Sequence, residues 1–152
     1  MITVVHTGEL PETVKDSLVS QDIKVLFQFF EKDKVDLSKI VTPYFLFGMP
    51  NVTYHKNSLA KLIARVNIDK ISYAYSDFLV FNSKDYSLKH HMEHPYDLRI
   101  IINGYTPEPM GLFKTSIVQE VLKTNKLEDM MRGLYNVSLM MHLPEALMTI
   151  RI

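Results

Sequence analysis

"ITVVHTGELPETVKDSLVSQDIKVLFQFF", residues 2–30, changes its hydrophobic period twice, and those changes decide the fold class. Residues 2–5 form a short apolar, β-branched run of strand type. Gly8 punctuates it. Pro11 suits the first position of a helix, and Glu12 complements that helix's dipole. Val14, Leu18 and Val19 then make one apolar stripe at helical spacing. In the stretch that follows, Ile23, Val25, Phe27 and Phe29 alternate with their neighbours, as a strand does.

Working outward, residues 31–39 are a polar connection rich in lysine and aspartate. Pro43, Tyr44, Phe45, Leu46 and Phe47 give an aromatic strand that Gly48 and Pro50 stop. Asn57 or Ser58 can cap a helix whose Leu59, Leu62, Ile63 and Val66 share one face. Residues 71–81 read as one long strand with Asp77 marking a bulge or an edge. Residues 98–102 read as another, closed by the turn pair Asn103-Gly104. The helical period returns from Phe113 with Ile117, Val118, Val121 and Leu122. Asn125 and Glu128 open a second helical stretch using Leu127, Met130, Met131 and Leu134. Residues 137–141 alternate, and Met148, Ile150 and Ile152 form a closing strand. The expected fold is therefore α+β, with a mixed or antiparallel sheet, three to four helices and the order β-α-β-β-α-β-β-α-α-β-β. Its first six elements follow the order of a ferredoxin-like split βαβ unit.

Size and composition narrow the rest. A chain of 152 residues, 47% hydrophobic and 22% charged, suits one domain over 1–152 and excludes disorder. No apolar run approaches the roughly 20 residues of a membrane span. The first residues carry neither a basic nor a long apolar region, so no secretory leader is expected. With no cysteine there is no disulfide framework, thiolate site or cysteine nucleophile, which favours a cytoplasmic setting. Seventeen basic and seventeen acidic side chains cancel, so the broad positive surplus of a nucleic-acid binder is missing. Few alanines and glycines beside many Ile, Phe, Tyr, Lys and Met suggest an AT-rich coding sequence, as in many phages and some bacteria.

Catalytic signatures are sparse. There is no G-x-S-x-G, no phosphate-binding Gly-rich loop and no G-x-G-x-x-G. His6-Thr7-Gly8 follows the first strand, where α/β proteins often place ligand contacts, although a lone histidine at a strand end is more often structural. "KHHMEHPYD", residues 89–97, places His90, Glu93 and His94 at the H-x-x-E-H ligand spacing of some zinc peptidases. That chemistry needs His90 and His94 on one face of a helix, and Pro95 would end the helix at its second ligand. The cluster lies instead in a connection, 83–96, longer than an ordinary hairpin loop.

Three functions follow in order of weight. The first is a non-enzymatic assembly or interaction protein, cytoplasmic or from a virion. It would be a homo-oligomer or bind a protein partner, without a cofactor and away from membranes. Its contacts would be Lys89, His90, His91, Glu93, His94 and Tyr96 of the 83–96 loop, with exposed sheet edges and the closing strand available for β-augmentation. The second is a nucleic-acid-associated protein using a basic helix face of Lys56, Lys61, Arg65 and Lys70. The third is a metal-dependent hydrolase at His90, Glu93 and His94.

Overall fold

Strand β1 (Ile2–His6) owes the unbroken burial of residues 2–5 to a central place in a sheet, between two parallel neighbours. The computed structural model describes residues 1–31, 34–69, 71–91, 111–123, 140–142 and 148–151. On one side β1 pairs with β2 (Val25–Phe29), and on the other with β3 (Tyr44–Phe47). The helix α1 (Glu12–Val19) links β1 to β2. Since β1 and β2 are adjacent, no strand intervenes, and the βαβ unit is not the split, ferredoxin-like one that the element order suggested.

The two faces of this sheet are covered differently. Ile2, Val4 and Leu46 face a core that includes Val14 and Leu18 of α1 and Leu59, Leu62 and Val66 of α2 (Ser58–Asp69). Val19, expected in the apolar stripe of α1, is 63% exposed at its end. Val5, Phe45 and Phe113 face the opposite core with Leu37 and Ile40, which come from the β2–β3 connection and its short 3-10 turn, Leu37–Lys39. The chain thus leaves β1 over one face and returns to β3 over the other.

Beyond β3 the six-stranded sheet continues through β8 (Leu112–Lys114), β5 (Tyr73–Tyr75) and β9 (Met140–His142). β8 is antiparallel to both β3 and β5, so β5 runs in the direction of β1 and β3, and β9 runs parallel to β5. A second, four-stranded sheet has the order β4 (Val52–Tyr54), β10 (Met148–Arg151), β6 (Phe78–Asn82), β7 (Ser87–His91). The helix α3 (Thr115–Leu122) buries Val118 against the Phe45 and Phe113 core. The fold is α+β with mixed sheets, as expected.

Several local expectations are corrected. Phe113 belongs to a strand: its ring stacks on Phe45 at 5.2 Å and meets Tyr73 at 4.3 Å, and the helical period starts only at Thr115. The run 71–81 is two strands in different sheets, parted at Ser76 and Asp77. The closing strand β10 is internal, antiparallel to β4 and parallel to β6, so its edges are not free for β-augmentation. The strand at 98–102 and the helix at 125–134 lie outside the described residues. Of the stretch 134–142, residues 140–142 are strand.

Gln21 joins three of these elements. Its Nε2 donates to the carbonyls of Ser17 at 2.9 Å and His55 at 3.0 Å, and its Oε1 accepts from Leu59 N at 3.4 Å. A buried amide with this set of partners locks the end of α1 to β4 and the start of α2. No helix among the described residues is long and apolar enough to cross a membrane.

Candidate ligand crevice

A strand flanked by parallel neighbours whose connections pass over opposite faces marks a topological switch point. The carboxyl ends of the strands open there into a crevice, the usual ligand site of open α/β sheets. In this chain that switch point, and the candidate ligand edge with it, lies beyond His6 of β1 and Phe47 of β3. Because β5 runs the same way, its end at Ser76 and Asp77 belongs to the same edge. β1 and β5 are three strand spacings apart, about 14 Å.

The β1 end is open. Thr7, Gly8 and Glu9 are exposed, and a Cβ at Gly8 would have nothing among the described residues within 4 Å. His6 is held rather than free: its Nδ1 lies 2.8 Å from Gly8 O, and its ring meets Phe29 edge-on at 5.6 Å. The β3 end is tight. Gly48 N donates to Val5 O at 2.7 Å, and a Cβ there would sit 2.7 Å from Val4 Cγ1. Only a residue without a side chain lets the crevice floor close this near to β1.

At the β5 end stands Asp77, a carboxylate only 3% exposed, just where the chain passes from one sheet to the other. His90 Nε2 lies 3.4 Å from its Oδ2. An acidic residue inside an otherwise strand-like run was the signal for this site, and it reads in sequence only as a break. A hollow of about 310 Å³, lined by Thr42, Tyr44, Lys114 and Gln119 among others, lies at the opposite end of β3.

The 83–96 segment is not one long loop. Residues 83–86 make a tight turn, with Asn82 Oδ1 accepting from Lys84 N and Asp85 Oδ1 from Ser87 N, both at 2.9 Å. The hydrogen bonds from Ser87 hold the Asp85 carboxyl below the usual aspartate range. Lys89, His90 and His91 then belong to β7, where Leu79 faces His90 and Phe78 faces His91. Successive strand residues point to opposite faces. His90 accordingly reaches Asp77 while His91 stacks on Phe78 at 4.4 Å. The helix that the zinc reading requires is therefore absent at His90, and the described residues hold no group of three or more metal-ligating side chains. Glu93, His94 and Tyr96 lie outside the described residues. Of the basic face, Lys56 and Lys61 are exposed and Arg65 is half-buried, with Lys61 and Arg65 on α2; Lys70 lies outside the described residues.

The arrangement is a mixed α+β fold with a topological switch point at β1. Solved neighbours share that fold. S. aureus TarS 1–349 in complex with UDP-GlcNAc matches 99% of this chain with a TM-score of 0.73 at 12% sequence identity. The same protein in complex with UDP matches with a TM-score of 0.72 at 13% identity. This chain spans 58% and 60% of the length of those two TarS chains. No family model matches the sequence, and the comparison with curated proteins gives no match.

These neighbours overturn the expectation of a non-enzymatic assembly protein of viral type. The fold is shared with a protein solved in complex with UDP-GlcNAc, not with an assembly or viral protein. The error has a physical origin. Motif searching finds phosphate loops built from glycine-rich signatures, whereas this crevice is made by strand order.

Proposed function

We propose that this chain is the nucleotide-sugar-binding part of a sugar-transferring enzyme, with a uridine-diphosphate sugar in the crevice beyond β1, β3 and β5. The observation that carries the reading is the switch point at β1, opened at Thr7 and Gly8, in a fold shared with a protein crystallised with UDP-GlcNAc and with UDP. Those two ligands are an activated sugar and the nucleotide left once the sugar departs. In such a transfer an acceptor oxygen bonds to the sugar's anomeric carbon, the bond from that carbon to the diphosphate breaks, and the acceptor's proton passes to a base.

The chain's own groups suit the ligand. Exposed main chain at Thr7–Glu9 offers amides and a hydroxyl to the nucleotide. Asp77 offers a carboxylate that accepts from ribose or sugar hydroxyls. It would also hold a divalent cation shared with the diphosphate, since magnesium is commonly bound by one or two carboxylates plus substrate phosphates. With no cysteine, the protein suits the reducing cytoplasm, where sugar nucleotides are made.

Calorimetric titration of the full chain with UDP and UDP-GlcNAc, with and without magnesium, tests the reading. Saturable binding of both, with amide shifts at Thr7–Glu9, is the expected result. Absence of heat and of shifts with either nucleotide overturns it. A magnesium requirement assigns Asp77 to the cation, and independence of magnesium assigns it to hydroxyls.

A further inference from the structure

We propose that the outer edge of β2 pairs with the same edge of a second copy of this chain, joining two six-stranded sheets about a twofold axis. Among the described residues β2 ends its sheet, and over Val25–Phe29 it carries no charge, no proline and no break in its register with β1. The other sheet ends are blunted. β4 and β9 are three residues long, and β7 carries Lys89, His90 and His91. Short strands and charges are the ordinary protections of an edge, and β2 has neither. Phe27 is 39% exposed and Phe29 59%, two residues apart and so on one face, and each ring meets His6 edge-on.

The backbone is arranged for it. Lys24 O accepts from Ile2 N, and Phe30 N donates to His6 O, so the even-numbered residues of this stretch bond to β1. The N–H and C=O groups of Val25, Phe27 and Phe29 therefore face outward. Charge favours a second copy over a foreign strand. A twofold axis at Phe27 sets the strands antiparallel, with Phe27 opposite itself and Val25 opposite Phe29 of the second copy. In such self-pairing a charge near the axis would meet its own copy, and VLFQF has none to repel. At the ends, the exposed Lys24 of one strand comes beside the exposed Glu31 of the other, an attraction. The exposed parts of Phe27 and Phe29 amount to about one whole ring per copy, roughly 200 Å². That is well under the ~800 Å² per partner of a standard interface, so the dimer is weak and concentration-dependent. Because the strands run antiparallel, the ligand edges of the two copies open at opposite ends of the joined sheet. The pairing stands whether or not the nucleotide-sugar reading holds.

Sedimentation equilibrium of the full chain without ligand, from about 1 to 500 µM, tests this. A monomer–dimer equilibrium with a dissociation constant of about 10–100 µM is expected. Phe27→Lys sets two ammonium groups face to face at the axis and should weaken the dimer at least about tenfold, with a melting temperature within about 2 °C of wild type at low concentration. A second readout does not depend on that variant. The chain has no cysteine, so a single introduced thiol reports proximity directly. Phe27→Cys should give a disulfide-linked dimer under mild oxidation, since opposed residues of an antiparallel pair lie about 5.5 Å apart at Cα, within disulfide range. Val41→Cys, 86% exposed in the β2–β3 connection, should not. A wild-type monomer at the highest concentration, open-ended oligomers in place of a dimer, or equal cross-linking of the two cysteine variants overturns the proposal. So does a folded Phe27→Lys that dimerises as tightly as wild type.

Discussion

The amide of Gly111 donates to the phenolic oxygen of Tyr73 at 3.1 Å, and a Cβ on Gly111 would sit 2.6 Å from the ring carbon bearing that oxygen and 2.3 Å from the carbonyl oxygen of Ala74. Gly111 therefore enters β8 against backbone, not against a side chain that can swing aside. Gly111→Ala is expected to cost about 3 kcal/mol or more, because it forces β8 away from β5. Urea unfolding measures it, and a cost under about 1 kcal/mol would show that the strand yields more easily than its packing suggests.

Tyr54 makes the opposite case. Its side chain is buried, its hydroxyl has no hydrogen-bond partner among the described residues, and burial pushes its pKa well above the ordinary 10. A buried, unpaired hydroxyl costs about 1–3 kcal/mol, so Tyr54→Phe is expected to raise stability by about 1 kcal/mol. The pH dependence has a definite sign. Below pH 10 the phenol is neutral in both states; above it the unfolded chain loses the proton and the folded chain keeps it. Stability then falls with rising pH by up to about 1.4 kcal/mol per unit. The gap between Tyr54→Phe and wild type should widen between pH 9 and pH 11; a constant gap refutes the burial argument.

Gln21→Ala removes the amide that joins α1, β4 and α2, leaving the Ser17 and His55 carbonyls and the Leu59 amide without it. The expected loss is about 2–3 kcal/mol with little change at the crevice. Equal loss of stability and of UDP affinity would mean that the two are coupled.

Gly8→Leu isolates binding from folding. Among the described residues nothing lies within 4 Å of a Cβ at Gly8, so the melting temperature is expected to stay within about 2 °C of wild type. UDP affinity should fall at least about tenfold as the side chain fills the crevice. Unchanged affinity would place the nucleotide elsewhere.

The elements that sequence reading found are those with enough residues to show a period. β1, α1 and β3 carry Ile2, Val14, Leu18 and Phe45 at the expected spacings, and α2 presents Leu59, Leu62 and Val66 as one buried stripe, whereas Phe27 and Phe29 of the expected β2 alternation are exposed. The three-residue strands β4 and β8 are too short to alternate recognisably, and β8 is held by the rings of Phe45 and Tyr73, which are distant in sequence. The hairpin before His90 turns through Tyr86 at φ 54°, a position where glycine or asparagine would have announced the turn. The crevice was half visible: His6-Thr7-Gly8 stood out as a strand end, but strand order places Gly48 and Asp77 on the same edge, and order is not written in local periodicity.

The internal strand β10 has a consequence for how the molecule is made. β4 and β6 do not touch as a pair; β10 lies between them, pairing Met148 with Tyr54 on one side and with Phe78 on the other. On the ribosome, β6 is complete at Asn82 while its inner partner begins only at Met148. At about 5–20 residues per second, those intervening residues take several seconds to emerge. During that interval the inner edge of the β6–β7 hairpin carries open backbone groups, the template on which another nascent copy could pair. Co-translational chaperoning is therefore most needed in that window, and slowing synthesis through it should raise aggregation where slowing earlier does not.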